Sequence, residues 1–138
     1  MYFKFYAGTY DKKVDNGIYE LTLNTENGEI TNAKQVAKLF NSSYMALDME
    51  NKIIYSITKK NNVGGVAVFK LTSEDSENKA ELISEKLDSG ESSCHIFFSK
   101  EKRMLFTANY QNGEVKVYRT GENGEIGETI FETNHDNL

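Results

Sequence analysis

The sequence predicts an all-β fold, a β-propeller of four-stranded antiparallel blades, and predicts it incomplete at about 2.75 blades. Three observations carry this. A strand-like segment recurs at a spacing of about fifty residues: Phe5-Tyr6-Ala7-Gly8-Thr9-Tyr10, Ile54-Tyr55-Ser56-Ile57-Thr58-Lys59 and Leu105-Phe106-Thr107-Ala108-Asn109-Tyr110. Each copy is followed by a Gly-containing turn and a second strand, at Gly17-Ile18-Tyr19-Glu20-Leu21, Gly65-Val66-Ala67-Val68-Phe69 and Gly113-Glu114-Val115-Lys116-Val117-Tyr118. Asn-Gly pairs, the strongest short hairpin signal, then sit at Asn27-Gly28 and Asn123-Gly124. A period of this length filled only with strand signals describes propeller blades, whereas a solenoid of the same period would show helical spacing. Fewer than three such periods fit in 138 residues, and propellers close with roughly four to eight blades.

Each blade takes strands A (inner) to D (outer). Strand A is expected at 44–48 and 94–98, and its near-continuous apolar runs suit burial on both faces. Strand B is expected at 2–8, 52–58 and 103–109, strand C at 17–23, 65–71 and 114–119, and strand D at 33–39, 80–87 and 128–133. The blades then cover 1–40, 41–89 and 90–138, and the first lacks an inner strand of its own. The connection 72–80, with Glu74-Asp75-Ser76-Glu77, reads as a charged solvated loop, because it lacks the glycine and spacing of a calcium loop.

Composition narrows the function classes. A hydrophobic content of 38% and a charged content of 27% are globular values. The formal net charge of −5, with no basic stripe to follow phosphates, argues against nucleic acid as a partner. No run approaches the ~18 apolar residues of a membrane span, and Met1-Tyr2-Phe3-Lys4-Phe5-Tyr6 reads as strand rather than export signal. A single cysteine, Cys94, fits a reducing compartment. The expectation is a cytoplasmic protein with no membrane partner, no metal and no cofactor.

Several segments, in order along the chain, resemble one family. Tyr6-Ala7-Gly8-Thr9-Tyr10 followed by Gly17-Ile18-Tyr19 is similar to its "Y-x-G-T-Y … G-I-Y", and Asn41-Ser42-Ser43-Tyr44-Met45-Ala46-Leu47 to its "N-P-S-Y-L-A-L". Ser93-Cys94-His95-Ile96 resembles "P-C-H-L", Leu105 to Tyr110 resembles "L-F-V-A-N-Y", and His135-Asp136-Asn137 stands where "H-x-G" is frequent. The family is that of the seven-bladed lactonases, with the propeller-type 6-phosphogluconolactonases and the carboxymuconate lactonizing enzymes. Ser42 and Ser93 depart from its prolines and Asn137 from its glycine; the lost prolines bear on turn stiffness more than on chemistry. The resemblance implies an N-terminal fragment of a carboxylic-ester hydrolase that opens a small-molecule sugar lactone to its acid. It also implies a place in carbohydrate metabolism, in the pentose phosphate pathway. The alternative is a non-catalytic propeller scaffold of the surface-layer "Y-V-T-N" type, which Ala108-Asn109-Tyr110-Gln111-Asn112-Gly113 also resembles.

Strand direction places candidate groups. The D–A and B–C loops share one rim, which collects Asn41 to Tyr44, Ser92 to His95, His135-Asp136, Thr9 to Asn16, Lys59 to Gly64 and Tyr110 to Gly113. Arg103 and Arg119 fall on the opposite rim. Opening a lactone needs a base for water and a donor or cation for the carbonyl oxygen. His95, at the start of an inner strand, is the candidate catalytic group, beside a structural role in bonding a neighbouring loop. His135, Lys12 and Lys59 are candidate substrate-binding groups, the lysines through attraction for a phosphate, beside a purely solvated role. Cys94 and His95 are neighbours on a strand, so their side chains diverge and form no thiol–imidazole pair. With both arginines on the far rim, the 138-residue chain alone is expected to be inactive. It is also expected to self-associate through open blade edges, since the strand 2–8 has no inner neighbour and carries Tyr2, Phe3 and Phe5.

Overall fold

The computed structural model describes residues 1–10, 16–72 and 80–137. Among them are eleven strands and a terminal 3₁₀ turn, His135–Asn137. The strands are β1 (Tyr2–Ala7), β2 (Gly17–Asn24), β3 (Ile30–Lys38), β4 (Met45–Asp48), β5 (Ile53–Lys60), β6 (Val63–Leu71), β7 (Ala80–Ser89), β8 (His95–Ser99), β9 (Met104–Ala108), β10 (Glu114–Thr120) and β11 (Ile126–Asn134). They form three antiparallel meanders: β1-β2-β3, β4-β5-β6-β7 and β8-β9-β10-β11. In the first, β1 is an edge strand, at the position that β5 and β9 hold with β4 and β8 beside them. The fold is therefore part of a β-propeller, each meander being one blade.

Alternation along β5 explains how the blades adhere. Ile53, Tyr55 and Ile57 point to one face and join Val66, Val68, Ile96, Leu105 and Tyr118 in a core shared with the third blade. Ile54 points the other way and joins Ala67, Phe69, Ile18, Val36 and Ala37 in a core shared with the first. Each of these large side chains contributes roughly 1.5–3 kcal/mol by leaving water. The strands buried on both faces are thus β5 and β6, rather than the expected inner strands. In β4 and β8, Ile96 is buried while Leu47 and Phe97 remain exposed, because each inner strand is the edge of its sheet.

Turn chemistry differs from expectation in two places. The β5–β6 connection is two residues, Asn61 and Asn62, with φ of 50° and 65°, so the strands run to Lys60 and Val63. Two left-handed residues match the twist of a tight hairpin, and asparagine tolerates that region better than other side chains. The Asn-Gly pairs, by contrast, lie inside five-residue connections, and only Gly28 (74°) and Gly124 (88°) adopt positive φ. Their outer strands start at Ile30 and Ile126, earlier than expected. The charged loop with Glu74 to Glu77 lies outside the described residues.

A buried charged group sits at the boundary between the second and third blades. Lys116 on β10 is 2% exposed, and its ammonium donates to the Asp88 backbone carbonyl at 2.6 Å. Carboxylate oxygens of Asp88, Glu114 and Glu132 each lie 3.6 Å away. Tyr118 donates to Asp88 Oδ1 at 2.9 Å, Thr129 to Asp88 Oδ2 at 3.3 Å, and Ser89 to Glu114 Oε1 at 2.7 Å. Burial and then the Asp88 charge push the Tyr118 phenol well above its usual value.

Candidate functional site

The D–A and B–C connections converge on one rim, as the strand directions require, and hydrogen bonds lock them together. Thr9 donates its backbone N–H to Ser42 Oγ (3.1 Å), and the Thr9 and Ser42 hydroxyls both donate to the Gly17 carbonyl (3.0 Å each). Gly8 permits this approach, since a Cβ there would lie 1.6 Å from the Ser42 carbonyl oxygen. One blade further on, Asn41 donates its side-chain amide to Ser92 Oγ (2.6 Å), which donates in turn to the Thr58 carbonyl (3.1 Å). Thr58 Oγ1 donates to the Phe40 carbonyl (2.9 Å) and Asn109 Nδ2 to the Glu91 carbonyl (3.3 Å). Ser42, where the resemblance led to an expected proline, is thus fully buried and holds two segments of the first blade.

These loops enclose a cleft of about 630 Å³ that reaches from Tyr10 in the first blade to Tyr110 in the third. Lys59 and Glu91 on its wall form an ion pair at 2.7 Å. Asn41, Ser92 and Cys94 also border it. Cys94 is exposed and its thiol donates to the Ala108 carbonyl at 3.3 Å.

His95 opens β8 and turns to the other side of that strand. Its exposed ring lies 4.9 Å from the Tyr44 ring, centroid to centroid and tilted by 48°. The two rings bridge the inner ends of the second and third blades. His135 follows β11, the outermost strand, so three strand positions separate it from His95's strand. Its backbone N–H donates to the Gly113 carbonyl (3.0 Å), its ring covers Gly113, and Nε2 lies 3.3 Å from Asp136 Oδ1. Lys12 and its neighbour Lys13 lie outside the described residues. Arg103 and Arg119 are at the opposite rim, beside Glu122 and Glu128. The fold therefore brings Lys59 to the cleft and His95 to the neighbouring inner edge, and keeps His135 apart from both.

Sequence reasoning named the rim segments but missed the pairing of Lys59 with Glu91, which no local pattern signals. It also missed Lys116, although that residue shares a strand face with Tyr118 in Glu114-Val115-Lys116-Val117-Tyr118 and so could have been read as inward. Among the described residues no cluster of three or more His, Cys, Asp or Glu is placed to hold a metal, and no helix is long and apolar enough to cross a membrane.

The rim, the meander order and the repeat match a known class. The model of the lactonase, 7-bladed β-propeller family matches residues 4–137, and the chain belongs to that family. It is 36% identical over 132 residues to the 6-phosphogluconolactonase of Bacillus subtilis, an alignment covering 94% of this chain and 37% of the relative. Among solved structures, a protein of Lactobacillus plantarum superposes with a TM-score of 0.85 at 25% identity, over 98% of this chain and 38% of its own. The periplasmic gluconolactonase of Pseudomonas aeruginosa shares the fold at 19% identity, with a TM-score of 0.82 over 98% of this chain and 39% of its own. The chain thus spans little more than a third of the length of the proteins it resembles.

Proposed function

We propose that this chain is part of a 6-phosphogluconolactonase-like propeller that hydrolyses a sugar lactone to its acid. The observation that carries the reading is the family match from residue 4 to residue 137, together with 36% identity to a 6-phosphogluconolactonase. The same match speaks against the surface-layer scaffold. In the reaction, water adds to the lactone carbonyl carbon, the ring C–O bond breaks, and the ring oxygen takes up a proton. His95, at the inner end of a blade with its ring against Tyr44, is positioned to exchange a proton with water or to donate to substrate. Lys59 is the cation on the cleft wall, and an anionic substrate would have to displace Glu91 to reach it. Lys12 belongs to the same rim by sequence. His135, against Gly113 at the outer edge, is the fourth proposed substrate contact. A cytoplasmic setting, with Cys94 unpaired, and a role in the pentose phosphate pathway complete the reading.

The test is base consumption by the complete protein with gluconolactone and with its 6-phosphate. Turnover above spontaneous hydrolysis that falls at least tenfold in His95→Gln supports the reading, a tenfold change being about 1.4 kcal/mol of barrier. Absence of turnover with both lactones refutes it. The 138-residue chain alone is expected to stay at the spontaneous rate, since its arginines face the other rim.

A further inference from the structure

Four Asn-Gly pairs occur in the sequence, at Asn16-Gly17, Asn27-Gly28, Asn112-Gly113 and Asn123-Gly124. An asparagine before glycine can cyclise, because glycine has no side chain to obstruct attack by its own nitrogen on the asparagine amide carbon. The step calls for a glycine N–H free of other bonds, a donor for the amide oxygen as it gains charge, and a base for the proton. The fold distributes these unequally. Gly17 is buried within the β2–β3 pairing. Gly28 donates its N–H to the Asn24 carbonyl (2.9 Å), and Gly124 donates to the Gly121 carbonyl (3.2 Å). The Gly113 N–H has no hydrogen-bond partner among the described residues. Asn112 itself is exposed, and its Oδ1 accepts from the Glu114 N–H at 3.0 Å. Against Gly113 lies the His135 ring. A Cβ there would come 1.6 Å from Nδ1, and the Cα that would bear it is bonded to the attacking nitrogen. His135 Nε2 lies 3.3 Å from Asp136 Oδ1, so its hydrogen is directed at the carboxylate and Nδ1 keeps its lone pair.

We propose that Asn112 is a self-catalysed deamidation site, with His135 as its base. The Gly113 nitrogen gives its proton to Nδ1, directly or through one water, and bonds to Asn112 Cγ. The Glu114 N–H steadies the charge that collects on Oδ1. The Cγ–Nδ2 bond then breaks, and ammonia leaves with the proton that His135 took up. Water opens the cyclic imide at either carbonyl, giving aspartate or isoaspartate at position 112. Both products place a new carboxylate in a cavity of about 330 Å³ that Glu114 and Glu132, two partners of Lys116, already line. Isoaspartate also carries the backbone through the former side chain, which removes the bond to the Glu114 N–H. Ageing is thereby built into the loop that leads to β10. The assignment is independent of the lactonase reading.

The test is peptide mapping by mass spectrometry of the full chain, incubated for days in mildly alkaline buffer. Conversion is expected first at Asn112, seen as a gain of one mass unit and as methyl transfer by an isoaspartate methyltransferase. His135→Gln should slow it by about tenfold and leave the rates at Asn27 and Asn123 unchanged. Asp136→Asn, which alters only the partner of Nε2, should slow it by a smaller factor. In urea only the shared Asn-Gly dipeptide remains, and the rates at Asn27, Asn112 and Asn123 should draw together. Earlier conversion at any of the other three pairs in the folded chain overturns the proposal. So does an unchanged rate at Asn112 in both the His135→Gln and Asp136→Asn variants. A lead of Asn112 that persists undiminished in urea belongs to the local sequence and overturns it as well.

Discussion

Asn41 and Ser92, 51 residues apart in the chain, meet at 2.6 Å across the boundary between blades. Tyr44 and His95, separated by the same interval, meet ring to ring at 4.9 Å. Residues one repeat apart are therefore partners in space, and the rim is held by bonds between successive editions of one loop. Ser92→Ala would leave Asn41 Nδ2 without its acceptor and the Thr58 carbonyl without its donor. A loss of about 1–2 kcal/mol is expected from a urea titration. An unchanged midpoint would mean that the rim is held by packing alone.

Lys116→Met should cost about 3 kcal/mol, because it leaves the carboxylates of Asp88, Glu114 and Glu132 gathered around an apolar stem. Asp88→Asn should cost less, since an amide oxygen still accepts from Tyr118. Comparing the two midpoints separates charge balance from hydrogen bonding. Equal losses would contradict the three-carboxylate account.

Alkaline titration should find Tyr6, Tyr55 and Tyr118 slow to ionise. Burial first, and then the charges of Glu20 and Asp48, push Tyr6 and Tyr55 from 10.0 up to about 12, and Tyr118 lies higher still. A folded-state value above the unfolded one means that the protonated phenol contributes stability in full below pH 10. That contribution is lost as pH climbs from 10 through about 12. The tyrosinate absorbance of these three should therefore rise late, coinciding with loss of the β-sheet circular dichroism signal. A single step near pH 10 with structure intact would contradict the burial of Tyr55 and Tyr118.

Gly113→Ala should destabilise the third blade by about 2–3 kcal/mol. The position has φ +67°, and a Cβ would lie 1.6 Å from the His135 ring nitrogen. Combining it with His135→Ala should recover the steric part and leave the backbone part, which thermal melts of the single and double variants can separate. No recovery would show that the ring moves aside freely.

The free edge of β1 carries exposed Tyr2 and Phe3. Light scattering from the 138-residue chain at micromolar concentration should show association through this edge. Phe3→Lys should suppress it, since edge lysines oppose strand pairing. A monodisperse monomer in the unaltered chain would count against this.

The blade pattern was legible because strand periodicity and turn residues are local properties, and the three copies of the Phe5 to Tyr10 segment repeat both. Which strands are buried on both faces was not legible. The burial of Ile53 to Thr58 depends on having a blade on each side, a fact about neighbours in space. The Asn61-Asn62 turn was hidden because Gly64 and Gly65 drew attention as the nearer turn signal. Instead both glycines lie in β6, where a Cβ would meet the Glu91 and Lys86 carbonyl oxygens at 2.2 and 1.9 Å. At the rim, the positions of Lys59, Asn41 and Ser92 followed from strand direction. Their pairings, Lys59 with Glu91 across 32 residues and Asn41 with Ser92 across 51, carry no sequence signature.

Contacts of this span also order events in time. The turn at Asn61-Asn62 closes β5 on β6 across two residues, whereas Asn41 must wait for a partner 51 residues downstream. Loop-closure entropy makes the first step fast and the second slow. Each meander is therefore expected to zip up by itself, and the blade boundaries to seal last. During that interval the faces of β5 and β6 stand open, and synthesis at ~5–20 residues per second holds a nascent chain in that state for seconds. The boundary that makes the finished rim rigid is thus also the stage at which a growing chain is most exposed to mispairing.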